Sequence, residues 1–207
     1  MSIHDPKTNI ATELPPDLPL QYIPNWLTQN TTNTLFCEIL HNIDWQTEEI
    51  TMFGKKIIVP RKVAWFGEKD AVYRYSGVVH HPLPWLSSLK HIQERLAQEH
   101  NTQTNSLLCN LYKDGKDYMG WHQDNEKELG KNPFIASISL GAPRKFVFRK
   151  KQAREKDSRQ TYSMMLGSGS LLIMQSGCQE KWQHCLPKMT QILEPRINLT
   201  FRKVFHP

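Results

Sequence analysis

Arg196-Ile197-Asn198-Leu199-Thr200-Phe201-Arg202 alternates polar and apolar side chains over seven residues. In an extended strand, successive side chains point to opposite faces. Arg196, Asn198, Thr200 and Arg202 therefore share one face, and Ile197, Leu199 and Phe201 share the other. The apolar face predicts a core contact. In an antiparallel sheet the polar face normally meets solvent. Inside a barrel mouth, the same face would offer two guanidinium groups as bidentate donors to a dicarboxylate. Asn110-Leu111-Tyr112 repeats this period, with Asn110 and Tyr112 on one side.

Working outward, short apolar runs at 106–112, 134–140, 144–150, 161–166, 170–175 and 196–204 predict strands. Gly141-Ala142-Pro143 and Gly167-Ser168-Gly169 separate some of them as turns. Many short strands after a helical N-terminal part suggest a jelly-roll or barrel core. Leu35, Ile39 and Ile43 are spaced for a helix over 30–43. Trp85, Leu89, Ile92 and Leu96 give a second helix after Pro82 and Pro84, ending near Asn101. Ile50–Phe53 reads as one arm of a hairpin that turns at Gly54-Lys55 and returns through Lys56–Val59, where Pro60 stops it. The expected class is α+β with a mainly β core. It divides into an extended N-terminal arm over 1–24, helices and hairpin over 25–105, and the β core over 106–207, all within one compact unit.

Composition narrows the function. The 207 residues carry a formal charge of +6, yet residues 1–50 hold one basic side chain (Lys7) and seven acidic ones. Residues 141–160 hold eight basic and two acidic side chains, and Lys55, Lys56, Arg61, Lys62, Lys69 and Arg74 form a second basic stretch. Basic segments interleaved with aromatics could track a phosphate backbone; the alternative is a solvated surface with a lysine-rich, low-complexity loop over 151–160. No run of eighteen apolar residues is present, which excludes a spanning helix. The first residues lack the pattern of a secretory signal, so an intracellular protein is expected, cytoplasmic in a prokaryote or nuclear in a eukaryote. Cys37, Cys109, Cys178 and Cys185 form no C-x-x-C pair and read as free thiols.

One constellation carries chemistry. His122 and Asp124 lie two residues apart, so an extended backbone turns both toward one metal ion. His184 supplies a third ligand from a distant segment. Two His and one carboxylate make the non-haem Fe(II) triad, which leaves positions open for substrate and oxygen. Alone, H-x-D is weak, because nine His and twenty acids produce it by chance. Two Arg with Asn, Thr and Tyr beside such a site match what 2-oxoglutarate requires.

The segments NLYKDGKDYMGWHQDNEKEL (110–129), PFIASISLGAPRKFVFR (133–149), GSLLIMQ (169–175), WQHCLP (182–187) and PRINLTFRKV (195–204) resemble the AlkB-type Fe(II)/2-oxoglutarate-dependent dioxygenases. The branch most similar repairs alkylated bases in double-stranded DNA. The resemblance runs from about Phe53 to Val204. It implies a double-stranded β-helix with a nucleotide-recognition lid hairpin, iron on His122, Asp124 and His184, and the co-substrate on Asn110, Tyr112, Arg196, Asn198, Thr200 and Arg202. It further implies that Phe53, with Gly54 and Lys55, fills the gap left by a flipped base. Inserting an apolar side chain offsets an unstacking cost of roughly a few kcal/mol. Tyr73-Arg74-Tyr75 resembles the segment that stacks on the damaged base, here with a charged middle residue. Where duplex-repair members commonly carry a second acid after the iron ligand, this chain has Asn125 and then Glu126. An amide there offers donors as well as an acceptor, which leaves the choice between methylated adenine and cytosine open. Lys145, Arg149, Lys150 and Lys151 are the expected phosphate contacts. The implied activity is oxidative demethylation of bases such as 1-methyladenine and 3-methylcytosine by a monomer that needs no membrane or obligate protein partner. An RNA demethylase, a protein or lipid hydroxylase and a silent nucleic-acid-binding module are the alternatives.

Overall fold

The computed structural model describes residues 10–11, 14–52, 55–75, 78–151 and 160–205. Phe53 and Gly54 lie outside these residues, as does most of the 151–160 loop. In chain order the elements are β1 (Ile10–Ala11), β2 (Leu20–Ile23), α1 (Gln29–Asn42), β3 (Gln46–Met52), β4 (Lys55–Gly67), β5 (Tyr73–Tyr75), β6 (Val78–His80), α2 (Ser87–His100), β7 (Ser106–Tyr112), β8 (Met119–His122), β9 (Ile135–Gly141), β10 (Arg144–Lys150), β11 (Thr161–Leu166), β12 (Leu171–Met174), α3 (Cys178–Lys181), β13 (Trp182–Leu186) and β14 (Arg196–Arg202). Among the described residues, no helix is long and apolar enough to cross a membrane.

A major sheet runs β2-β12-β9-β14-β7-β4-β3 and a minor sheet β1-β11-β10-β13-β8, while β5 and β6 pair separately. Trp65, Ile135, Phe148, Leu172, Met174 and Trp182 pack together between the two sheets, which gives the expected jelly-roll sandwich. A second core lies outside the major sheet, where Leu35 and Ile39 of α1 and Leu89 and Leu96 of α2 meet Ile197, Leu199 and Phe201. Each such side chain stabilises the fold by about 1.5–3 kcal/mol when fully buried. With the odd residues of β14 under the helices, Arg196, Asn198, Thr200 and Arg202 must face the minor sheet. The polar face that would meet solvent in a one-sided sheet is the inside of the sandwich.

Local signals explain the helix ends. The Thr28 hydroxyl accepts from the Thr31 N–H at 3.2 Å and caps α1. Asn101 takes the left-handed conformation (φ 45°) and ends α2 as expected. Gly141 has φ 83°, and an added Cβ would lie 2.5 Å from the Pro195 carbonyl oxygen, so this turn requires glycine.

One strand reading is corrected, and others are extended. Pro60 does not stop the returning arm: β4 continues through it to Gly67. Thr47 pairs with Lys62 and Glu49 with Ile58, so residues 59–61 bulge opposite Glu48 alone. A bulge leaves backbone N–H groups unpaired, and proline is tolerated there. Within the extended arm over 1–24, Leu20–Ile23 pairs with β12 along the major sheet's edge. Finally, β8 and β13, which carry His122 and His184, were not anticipated; four and five residues are too few to display a period.

Candidate active site

His122 and His184 come from neighbouring strands, facing each other in the β8–β13 ladder, and Asp124 is the second residue after β8. Their ligating atoms all lie within 4.8 Å of one another, inside the sandwich. The Nδ1 of His122 is 2.9 Å from the Gly120 carbonyl oxygen. A carbonyl can only accept, so Nδ1 carries the proton and Nε2 keeps its lone pair for a metal. His184 Nε2 sits 3.9 Å from Asp124 Oδ2, and its side chain is 3% exposed. Burial foremost, with His122 adding to it, pulls the His184 pKa down to about 3 against the pull of Asp124. The ring is thus a neutral donor, the form that ligates. Burial pushes the Asp124 carboxyl upward, but Arg202 at 3.2 Å and the two imidazoles outweigh it and hold the group below the usual value. The Asp124 N–H donates to Gln179 Oε1 at 2.9 Å. Two imidazole nitrogens and one carboxylate oxygen, held this close, suit Fe(II) with positions left open.

Two hollows meet at His122, Asp124 and Arg202. The inner, narrower one is lined by Asn110, Tyr112, Arg196, Asn198, Thr200 and Arg202, the set expected from sequence, and closed by apolar Leu108, Phe146, Met174 and Leu186. Arg196 is 2% exposed, donates to Ser139 Oγ at 3.0 Å, and lies over the Tyr112 ring at 5.4 Å. Its Nε finds no hydrogen-bond partner, and among the described residues no carboxylate pairs with it. Burial lowers its pKa to about 10, with Tyr112 opposing and Arg144 assisting. A buried cation without a counter-charge is costly, and a carboxylate ligand would offset that cost. Asn198 differs from the other lining residues. Its amide N–H group already donates to Ser137 Oγ (2.8 Å) and the Ile138 carbonyl (3.1 Å), so it braces the floor. Arg144, unforeseen in the sequence, donates to the carbonyls of Asp114, Asp117 and Pro187 and ties the loop before β8 to the minor sheet.

The outer cavity measures about 650 Å³. His122, Asp124 and Arg202 form its floor, and its walls include Glu48, Arg61, Trp65, His81 and Glu126. Of the two residues after the metal triad's Asp124, Glu126 lines this cavity, while Asn125 is exposed and lines neither hollow. Tyr73, Arg74 and Tyr75 form β5, paired with β6, and Lys55 begins β4. Among the expected phosphate contacts, Arg149 stacks on Trp121 at 4.3 Å and donates to Gln183 Oε1, and Lys150 pairs with Asp17 at 2.7 Å. Lys151 is exposed and Lys145 half-buried. None of the four lines either hollow. Sequence reading missed Gln179, Ser139, Glu48 and the site role of Arg61, whose side chains join the site through contacts across 49 to 57 residues of chain or between strands.

The chain matches the model of the 2OG-Fe(II) oxygenase superfamily over residues 19–202. It is 39% identical over 176 residues to the DNA oxidative demethylase ALKBH2 of Mus musculus, covering 82% of this chain and 74% of that protein. It is 44% identical over 151 residues to the alpha-ketoglutarate-dependent dioxygenase alkB homolog 3 of Homo sapiens, covering 70% of this chain and 52% of the relative. Among solved structures, OsALKBH1 superposes with a TM-score of 0.62 at 16% identity, over 93% of this chain and 100% of that one. An oxidoreductase of the 2OG-Fe(II) oxygenase family from Burkholderia pseudomallei gives 0.58 at 13% identity, over 90% and 85%. At such identities the two structures bear on the fold alone. The sequence matches do more, and on them the chain belongs to the 2OG-Fe(II) oxygenase superfamily and, within it, to the AlkB-type Fe(II)/2-oxoglutarate-dependent dioxygenases.

Proposed function

We propose that this dioxygenase removes N-alkyl groups from bases such as 1-methyladenine and 3-methylcytosine in double-stranded DNA, acting inside the cell as a monomer. The observation that carries this reading is the pair of hollows meeting at His122, Asp124 and Arg202, with His184 lining the inner one. The inner one holds a buried cation in need of a carboxylate; the outer one, at about 650 Å³, falls in the range of small-molecule sites and suits a single extruded base. A mouse relative named as a DNA oxidative demethylase supports the same substrate class.

In this reading His122, Asp124 and His184 hold Fe(II). Arg196 faces one carboxylate of 2-oxoglutarate, and Asn110, Tyr112, Thr200 and Arg202 complete the cradle above the Asn198 brace. The bound iron and co-substrate supply, with O₂, the oxidation that releases an N-methyl group as formaldehyde, alongside succinate and CO₂. The chain's own part is placement. Arg202 keeps Asp124 ionised and aimed, Gln179 fixes its backbone, and Leu108, Phe146, Met174 and Leu186 keep water from the inner hollow. Glu126, with Tyr73 and Tyr75 of β5, contacts the base. Phe53, placed by the sequence between β3 and β4, fills the vacated position in the stack, and the basic side chains Lys55, Arg74, Lys145 and Lys151 meet phosphates.

The test is succinate and formaldehyde release with matched methylated duplex DNA, methylated single strands, methylated RNA and unmethylated controls. Release should be greatest with methylated duplex and absent from controls. Phe53→Ala should impair duplex repair more than single-strand repair. Turnover with RNA alone would make the protein an RNA demethylase, and succinate release uncoupled from any nucleic acid would point to a different substrate class.

A further inference from the structure

Arg61 belongs to the outer cavity but bonds a residue of the inner one. It sits just after the Pro60 bulge, its side chain is 4% exposed, and it lines the outer cavity together with Glu48. Its Nε donates to Asn110 Oδ1 at 2.8 Å, and a terminal nitrogen stands 3.9 Å from Glu48 Oε2, whose side chain is 8% exposed. Asn110 lines the inner hollow instead. A guanidinium can only donate, so the oxygen of the Asn110 amide must be the atom that meets Arg61. The amide –NH₂, a pure donor, is then left for the inner hollow. With the amide turned over, its –NH₂ would meet the guanidinium and its oxygen would face the co-substrate carboxylate.

We propose that Arg61 is a positioning residue which fixes the polarity of the Asn110 amide, so that it donates to 2-oxoglutarate, and that Glu48 holds Arg61 in place. The chain Glu48–Arg61–Asn110 joins the wall of the outer cavity to the co-substrate cradle. This inference rests on the reading of the inner hollow as the 2-oxoglutarate site.

The experiment measures 2-oxoglutarate binding by calorimetry on Mn(II)-loaded protein without DNA, with Mn(II) affinity measured separately. Arg61→Met should weaken 2-oxoglutarate binding about tenfold, the weight of one lost hydrogen bond to a charged group. Asn110→Ala should do the same, and the double variant should be no worse than Asn110→Ala alone, because Arg61 acts through Asn110. Mn(II) affinity should stay unchanged. If removing Arg61 leaves Glu48 too costly to bury, Arg61→Met with Glu48→Gln removes both charges and should show the same loss. Arg61→Lys keeps one donor and should restore part of the binding. Unchanged 2-oxoglutarate affinity in the Arg61 variants, or losses that add in the double variant, would overturn the proposal. Failure of the unaltered protein to bind 2-oxoglutarate would instead overturn the reading of the site beneath it.

Discussion

The inner and outer hollows share a floor but are built differently. The inner one is cut into β7, β14 and β9, central strands paired on both sides, and its polar groups are cross-braced by Ser137, Ser139 and Arg144. The outer one borrows its walls from β3, the sheet's edge, from the bulged part of β4, and from connecting segments that carry His81 and Glu126. Moving a residue in the inner hollow disturbs two ladders at once, whereas the outer wall can change with little consequence for the sheet. On the proposed reading, a fold divided this way keeps the oxidising centre rigid and leaves base selection to segments that open at lower cost.

The sharpest way to break this division is Arg196→Ala. Truncating one member of a buried charge pair costs about 2–5 kcal/mol, so the 2-oxoglutarate requirement should rise more than tenfold. Affinity for methylated DNA should barely move. If calorimetry shows unaltered 2-oxoglutarate binding, Arg196 does not serve the inner hollow as described.

Gln179→Ala asks whether the triad depends on its support. Losing the acceptor for the Asp124 N–H should lower metal affinity by roughly 10–100-fold, as for other outer-shell partners, with the fold retained. A metal titration followed by thermal unfolding separates the two quantities, and metal affinity equal to wild type would make Gln179 a packing residue only.

Acidification probes the same rigid centre in the metal-free protein. The His184 pKa is near 3 when folded and about 6.5 when unfolded, so between these values the unfolded chain binds the additional proton. Stability should therefore fall as pH drops through that window. His184→Gln should flatten this part of the profile, and an identical profile in the variant would mean that other groups govern the acid limb.

The smallest effect belongs to the exterior. Lys151→Ala with Lys145→Ala should reduce the salt dependence of duplex binding by about one unit per lost phosphate contact. Arg149→Ala tests a different kind of contact, because it removes a brace on Trp121 as well as a charge. A salt slope identical to wild type in the lysine pair would assign those residues to solvent.

The period-two pattern of residues 196–202 determined the two faces of β14 without any structure, because side-chain alternation follows from backbone geometry alone. H-x-D placed His122 and Asp124 on one side for the same reason, and their association with His184 was legible through the resemblance. Sequence could not say that the polar face of β14 looks into a sandwich, since facing solvent and facing a second sheet produce the same alternation. Nor could it show that Pro60 rides in a bulge, a feature defined by the register of β3 against β4. Tertiary structure alone decided the partners of Asp124, Asn110 and Arg196. Gln179, Arg61 and Ser139 reach them across 49 to 57 residues of chain, and hydrogen bonds at that separation depend on packing that no local pattern encodes.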